Sequence, residues 1–341
     1  NKTWFERAVD KAVAFKRFSV LTALSALGKL FGASNSRLFA TVLEELASGV
    51  YHRILPEELI KRAELEGRPL GPGRMAKAWK DSFMQGIKDA AQVLKTGESE
   101  LDVRFSSKGG HDTGWMEYPG IIHAAIKSPV KRMMFEFAFQ KLAKAYIEST
   151  PKDKFNPAEL ADPTSLLNIR LSMEAYKFAN RSIFLQDNVV TKTFNMVIKM
   201  LESKAGGDFG KYIAKSMRIL MPIVKVPTNI IGESFQYVGG LPIGLLKFGK
   251  AWKNGFDKLE PEQADAILRN FKKGSIGAGL MLLGYFAPGF AGGYYSPEDR
   301  RKIGDIKAGG FRLFGVDIPP WLIHSPMFEA IQFGATMRRL V

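Results

Sequence analysis

The stretch "GSIGAGLMLLGYFAPGFAGGYY", residues 274–295, is 22 residues long and carries no charge. As a helix it would span about 33 Å, against roughly 30 Å for the hydrocarbon core of a bilayer, so its length permits crossing. Its composition argues the other way. Seven of its residues are glycine, and Pro288 interrupts its last third. The continuous helix is expected to end near Ala287, leaving "SIGAGLMLLGYFA", a length suited to a buried or re-entrant segment. Small residues let another helix approach closely in lipid or in protein. Ser275, Ala278, Gly279, Leu282, Leu283 and Phe286 are therefore the candidate contacts with a membrane or a partner helix. The flanks do not orient the segment. Arg269, Lys272 and Lys273 precede it, and Arg300, Arg301 and Lys302 follow. Ser296 and Pro297 have the form of a cap and first turn of a separate helix.

Helical periodicity dominates elsewhere. Apolar residues recur at three- and four-residue spacing from Trp4 to Phe31. "NSRLFATVLEELASGVYHRIL" predicts a second helix capped by Ser34 or Asn35. Pro56 and the acids after it open "LPEELIKRAELEG", which stops at Gly67. Residues 96–120 lose the period and predict an exposed loop, cut first by protease between Leu101 and Trp115. The helix after it is expected to break or kink at Pro129. Two helices follow the polar connector "STPKDKFNPAELADPTS", the second capped by Asp187. "GGFRLFGVDIPP", residues 309–320, predicts a small hairpin, with Phe311, Leu313 and Ile318 as packing anchors. The fold class expected is mainly α, a multi-helix assembly with a central apolar helix and one small β-hairpin near the C-terminus. Its expected divisions are a helical region 1–95, the loop 96–120, a helical region 121–205, and a helical domain 206–341 containing the hairpin.

With 341 residues, 46% of them apolar, the chain is long enough for two or three packed domains. It starts at Asn1 rather than Met, as a fragment or processed product would. It has no cysteine, which excludes disulfides, thiolate nucleophiles and cysteine zinc sites. The net charge of +15 favours polyanionic partners, namely nucleic acid, anionic lipid or an acidic protein, although solubility alone would also account for it.

No strong catalytic motif is present. G-x-x-x-x-G-K-[ST], G-x-S-x-G and H-E-x-x-H are all missing. "GSIGAG" has no strand before it, which a phosphate loop requires. His52, His111, His123 and His324 are each isolated, so no catalytic, cofactor or metal residues are expected. Glu44 with Glu45, and Glu57 with Glu58, are adjacent on helices and do not face each other, so they read as solvated charges. "FAFQKLAKAY" and "KFGKAWKNGF" interleave aromatic and basic residues as a stacking surface does, although core positions explain them better.

"RILMPIVKVPTNIIGESFQYVGG" places Pro222, Lys225, Pro227, Thr228 and Asn229 in a proline–basic–proline–asparagine pattern. Then come "GSIGAGLMLLGYFAPGFAGG", "YYSPEDRRK", "GGFRLFGVDIPPWL" and "SPMFEAIQFGATMRRL" in that order. This succession, from Met217 to Leu340, resembles the large polyvalent protein-associated domain numbered 38, a segment of very large phage and mobile-element proteins. "GIIHAAIKSPVKRMMFEFAFQKLAKAYIE" and "DNVVTKTFNMVIKMLE" resemble the helical blocks that commonly precede it. Val226 departs from the pattern, which has threonine or another small polar residue there.

The resemblance implies a non-enzymatic segment of an internal virion or ejection protein. Such a protein is carried in the phage interior and enters the host envelope or cytoplasm with the genome. Its expected partners are other copies, neighbouring domains, DNA or the host inner membrane. The alternative is a soluble scaffolding domain of a mobile-element polyprotein that carries enzymes elsewhere. Independently of any family, two prolines within one undistorted helix are unfavourable. Pro222 to Asn229 is therefore expected to form a sharp corner, with Thr228 or Asn229 capping a new helix and Glu233 supporting it. Residues 274–295 are expected to be a buried helix of the assembled particle, with membrane insertion as a second state.

Overall fold

The computed structural model describes residues 24–97, 99–101, 118–153, 155–183, 189–202, 207–287, 289, 291–293, 306, 310–313, 316–318 and 326–340. The chain is mainly helical. Among the described residues ten helices run in the order α1 (Leu24–Ile54), α2 (Glu57–Arg62), α3 (Pro72–Thr96), α4 (Tyr118–Ser149), α5 (Pro157–Ala161), α6 (Leu166–Ser182), α7 (Val189–Glu202), α8 (Gly207–Asn254), α9 (Pro261–Phe286) and α10 (Pro326–Leu340). A 3-10 turn, Phe256–Lys258, joins α8 to α9.

Helix ends follow local chemistry. Gly97 closes α3 in the left-handed conformation, φ 81°, where a Cβ would be strained. Ser165 caps α6 by accepting from the Asn168 amide, and Glu260 with Gln263 forms a capping box at the start of α9.

Several expected boundaries are corrected. α1 is continuous through Ser34 and Asn35, so neither residue caps a second helix there. α4 begins at Tyr118, inside the expected loop, and Ser99 and Leu101 are buried. Residues 102–117 of that loop lie outside the described residues, as do Asp187 and the Ser296–Pro297 cap. α4 is not broken at Pro129. The helix passes through it, and Gly86 of α3 packs against the proline so closely that a Cβ there would lie 2.6 Å from the Pro129 Cα.

The apolar interior forms four clusters. The largest joins α3, α4 and α6 through Met75, Met134, Phe137, Leu171 and Phe178. A second joins α2, α8 and α9 through Leu59, Ala251, Ile267 and Phe271. The third and fourth set α10 against α1, α8 and α9, with Tyr237, Met327, Ile331 and Ala335 buried. Near the C-terminus, β1 (Phe311–Leu313) pairs antiparallel with β2 (Val316–Ile318), in the register Phe311 to Ile318. Phe311 is buried against Phe328. The Gln332 side chain ties this region to α10, accepting from the Gly293 amide and donating to the Gly310 carbonyl at 2.9 Å.

Candidate functional site

The proline pattern does not turn the chain. α8 is one helix of 48 residues that contains Pro222, Lys225, Pro227, Thr228 and Asn229. This corrects the expected corner, and with it the proposed caps. Asn229 is a buried residue of the helix interior, 2% exposed. Proline removes one backbone donor and crowds the preceding turn, a local cost that tertiary context can override. The side chains of Pro222, Lys225, Pro227 and Thr228 lie outside the described residues.

Residues 274–286 of the glycine-rich stretch are the second half of α9, which starts at Pro261 and ends at Phe286 with Ala287 as its C-cap. Its glycines have separate jobs. A Cβ on Gly274 or Gly277 would overlap the α8 backbone at Leu241 or Tyr237. One on Gly284 would overlap Ile331 of α10, and one on Gly334 of α10 would overlap Met281. α8 and α10, each antiparallel to α9, thus approach one stripe of it at backbone distance, α8 along its middle and α10 near its C-terminal end. The residues singled out in the sequence lie on its remaining side. Ser275 and Ala278 are half-buried, Gly279 is open, and Leu282, Leu283 and Phe286 are exposed, Phe286 at 73%. α9 therefore presents an apolar surface rather than being buried all round. Among the described residues, no helix is long and apolar enough to cross a membrane.

Sequence reasoning missed a buried charge network. Glu44 and Glu45 are not solvated, being 8% and 5% exposed. As neighbours on α1 they diverge. Glu44 accepts from Arg37 Nη1 at 2.7 Å and from the Tyr237 hydroxyl of α8 at 2.5 Å. Glu45 accepts from Lys141 of α4 at 3.0 Å and from the Leu70 and Gly71 amides. Glu233 of α8 pairs with Lys273 of α9 and lies 3.8 Å from Arg37. Glu66 pairs with Lys272 and, at 3.2 Å, with Arg269. Asp265 accepts from the Leu65 and Glu66 amides, the latter at 2.8 Å.

Burial opposes each of these charges, and its partners decide the outcome. Burial raises the Glu233 carboxyl, but Lys273 and Arg37 outweigh it and bring it down to about 2. Glu66 is likewise held well below the usual range, burial being overcome by Lys272 and Arg269. Burial also lowers Lys273 despite the opposing pull of Glu233 and Glu44. On that account the lysine resists charge while its partner favours it. Glu233 is the member whose charge is secured at neutral pH, because two cations hold it. Asp265 differs: burial and the nearby Glu66 push it up to about 6, against two amide hydrogen bonds.

A network of this kind satisfies buried polar backbone and fixes helix register. It offers no open position beside a nucleophile or base. Among the described residues no cluster could hold a metal ion, and His52 is exposed. The side chains of His111, His123 and His324 lie outside them. The two aromatic–basic stretches separate. Phe137 is buried, whereas Trp252 is 64% exposed beside exposed Lys250 and Lys253. Compared with known proteins, the chain matches no family model, no curated protein and no solved structure.

Proposed function

We propose that the chain is a non-enzymatic helical segment of a large phage protein, of the internal virion or ejection kind, that works by docking its helix faces on partners. The exposed side of α9, with Leu282, Leu283 and Phe286, carries this reading. Unpaired apolar surface beside well-packed helices marks an interaction site. The internal ion pairs support a rigid scaffold, since they tie α1, α8 and α9 to one another through Arg37, Glu44, Glu233 and Lys273. The resemblance of Met217 to Leu340 to the polyvalent-protein domain supplies the setting, with the hairpin and the apolar helix as parts of that domain. The surplus of cations, +15, suits a polyanionic environment such as packaged DNA or a host membrane. The segment would travel in the virion interior and enter the host envelope or cytoplasm with the genome.

Mass spectrometry of purified particles tests this directly. The protein should be a stoichiometric virion component, and its absence from particles would remove the reading. The second reading, a scaffolding domain beside enzymes of a mobile-element polyprotein, rests on the same docking faces. Co-purification with such an enzyme, and no particle association, would favour it.

A further inference from the structure

From Asn229 to Asn254, α8 buries one side and leaves the other exposed. Glu233, Tyr237, Gly240, Gly244 and Ala251 face inward. On the outward side Ile231, Phe235 and Leu246 fall on one stripe, exposed at 55%, 67% and 77%. Leu245 and Trp252 flank it on one edge, Lys247 and Lys250 on the other, and Lys253 closes its C-terminal end; all five are exposed. Between Glu233, which is buried and paired, and Asp257 the sequence has no acid. This face is therefore apolar and purely cationic over about 33 Å of helix. Asp257, Glu260 and Glu262 lie beyond its C-terminal end.

We infer that this face of α8 lies flat on an anionic lipid surface, with Leu245, Leu246 and Trp252 entering the headgroup boundary and the lysines meeting lipid phosphates. The inference rests on the docking role proposed above and names the partner of one face. A helix with an apolar side, basic flanks and no apolar run of spanning length among its described residues is of the interfacial kind. Trp252 has the amphipathic ring favoured at that depth. Two other occupants fit less well. A second copy would set lysines against lysines or against leucines, with no acid on the face to pair them. Nucleic acid would use the lysines but gain nothing from exposed Ile231, Leu245 and Leu246. Trp252 also already packs on Phe248 and Phe256, at 5.7 and 5.8 Å between ring centroids.

The test is co-sedimentation of the full chain with vesicles of phosphatidylcholine, alone or mixed with phosphatidylserine. Binding to the mixed vesicles only, falling with salt, is expected. Replacing Lys247, Lys250 and Lys253 by glutamate should weaken it roughly a hundredfold. Leu246→Asp should weaken it about tenfold or more. Leu282→Asp on α9 should leave it unchanged. Circular dichroism establishes that each variant is folded, which exposed positions make the expected result. Four results would overturn the assignment: no binding to mixed vesicles, equal binding to neutral ones, indifference to the α8 variants, or an equal loss from Leu282→Asp. Lysine-dependent binding of a DNA duplex without vesicle binding would assign the face to nucleic acid instead. A dimer dissolved by Leu246→Asp, again without vesicle binding, would assign it to a second copy. Particle composition is a separate readout, so virion membership and lipid contact can fail independently.

Discussion

At Glu233 a single carboxylate faces two cations inside a helical bundle, and its titration sets how the protein responds to acid. Its folded value of about 2 lies below its ordinary 4.5. The stabilisation is therefore complete above pH 4.5 and is lost as pH falls towards 2. Glu233→Gln should remove this dependence. It leaves Lys273, 1% exposed, without its paired carboxylate and with only the more distant Glu44. A loss of about 3–5 kcal/mol is expected from urea unfolding, and a loss below about 1 kcal/mol would show that the pair is not structural. Asp265 runs the opposite way. Its folded value of about 6 lies above its ordinary 3.8. Its contribution is full below pH 3.8 and is lost as pH rises through 6. Asp265→Asn keeps a carbonyl acceptor for Leu65 and Glu66 while removing the repulsion from Glu66. The variant should be more stable than wild type at pH 8, and the difference should shrink below pH 4. A variant less stable at pH 8 would mean that the two amides need the full charge.

Among elements, the glycines of α9 separate packing from propensity. Gly277→Ala would press a methyl group into the Tyr237 backbone, and Gly284→Ala would press one into Ile331. Both should destabilise the fold by pushing α9 away from a neighbour, by about 1–3 kcal/mol as overpacking does. Gly279 has open space around it. Gly279→Ala should instead stabilise by about 0.5–1 kcal/mol, through helix propensity. Thermal unfolding of the three variants is the measurement, and equal effects would refute this division. The sequence showed that small residues here allow close approach, but not which ones face a neighbour, because glycine carries no amphipathic signal of its own. Pro222 and Pro227 misled for a related reason. A local penalty argues for a corner, whereas Tyr237, Gly240 and Gly244 anchor the same helix to α9. Glu44 and Glu45 misled too, since a charge on an amphipathic helix looks solvated until its buried partners on distant helices, Tyr237 for Glu44 and Lys141 for Glu45, are known.

For the whole molecule, the ion network is a seam between two packed bodies of helices. The α3, α4 and α6 cluster forms one apolar body, α8, α9 and α10 with α2 form the other, and α1 packs on both. The mainly helical character was legible from periodicity, but this joint was not, because its members are dispersed over the chain. The seam centres on the connector between α2 and α3, where Leu65, Glu66 and Leu70 are buried without regular structure. Side-chain carboxylates supply the acceptors that a helix would have given, from Asp265 for Leu65 and Glu66, and from Glu45 for Leu70 and Gly71. Lys141 carries the link on to α4, and Lys272 and Arg269 carry it to α9. Glu66→Ala removes the connector's only charge towards α9 and leaves Lys272, 2% exposed, without its carboxylate. The loss should be about 3–5 kcal/mol. It should fall mainly on the α9 side of the seam, because the ion pairs of Glu66 with Lys272 and Arg269 both lead to α9. Unfolding should then separate into two transitions, with α9 amides exchanging before those of α4. Hydrogen exchange across a urea series measures this. If α4 and α9 amides of the variant still open together, in one transition, the helices form a single cooperative unit and the seam does not divide it.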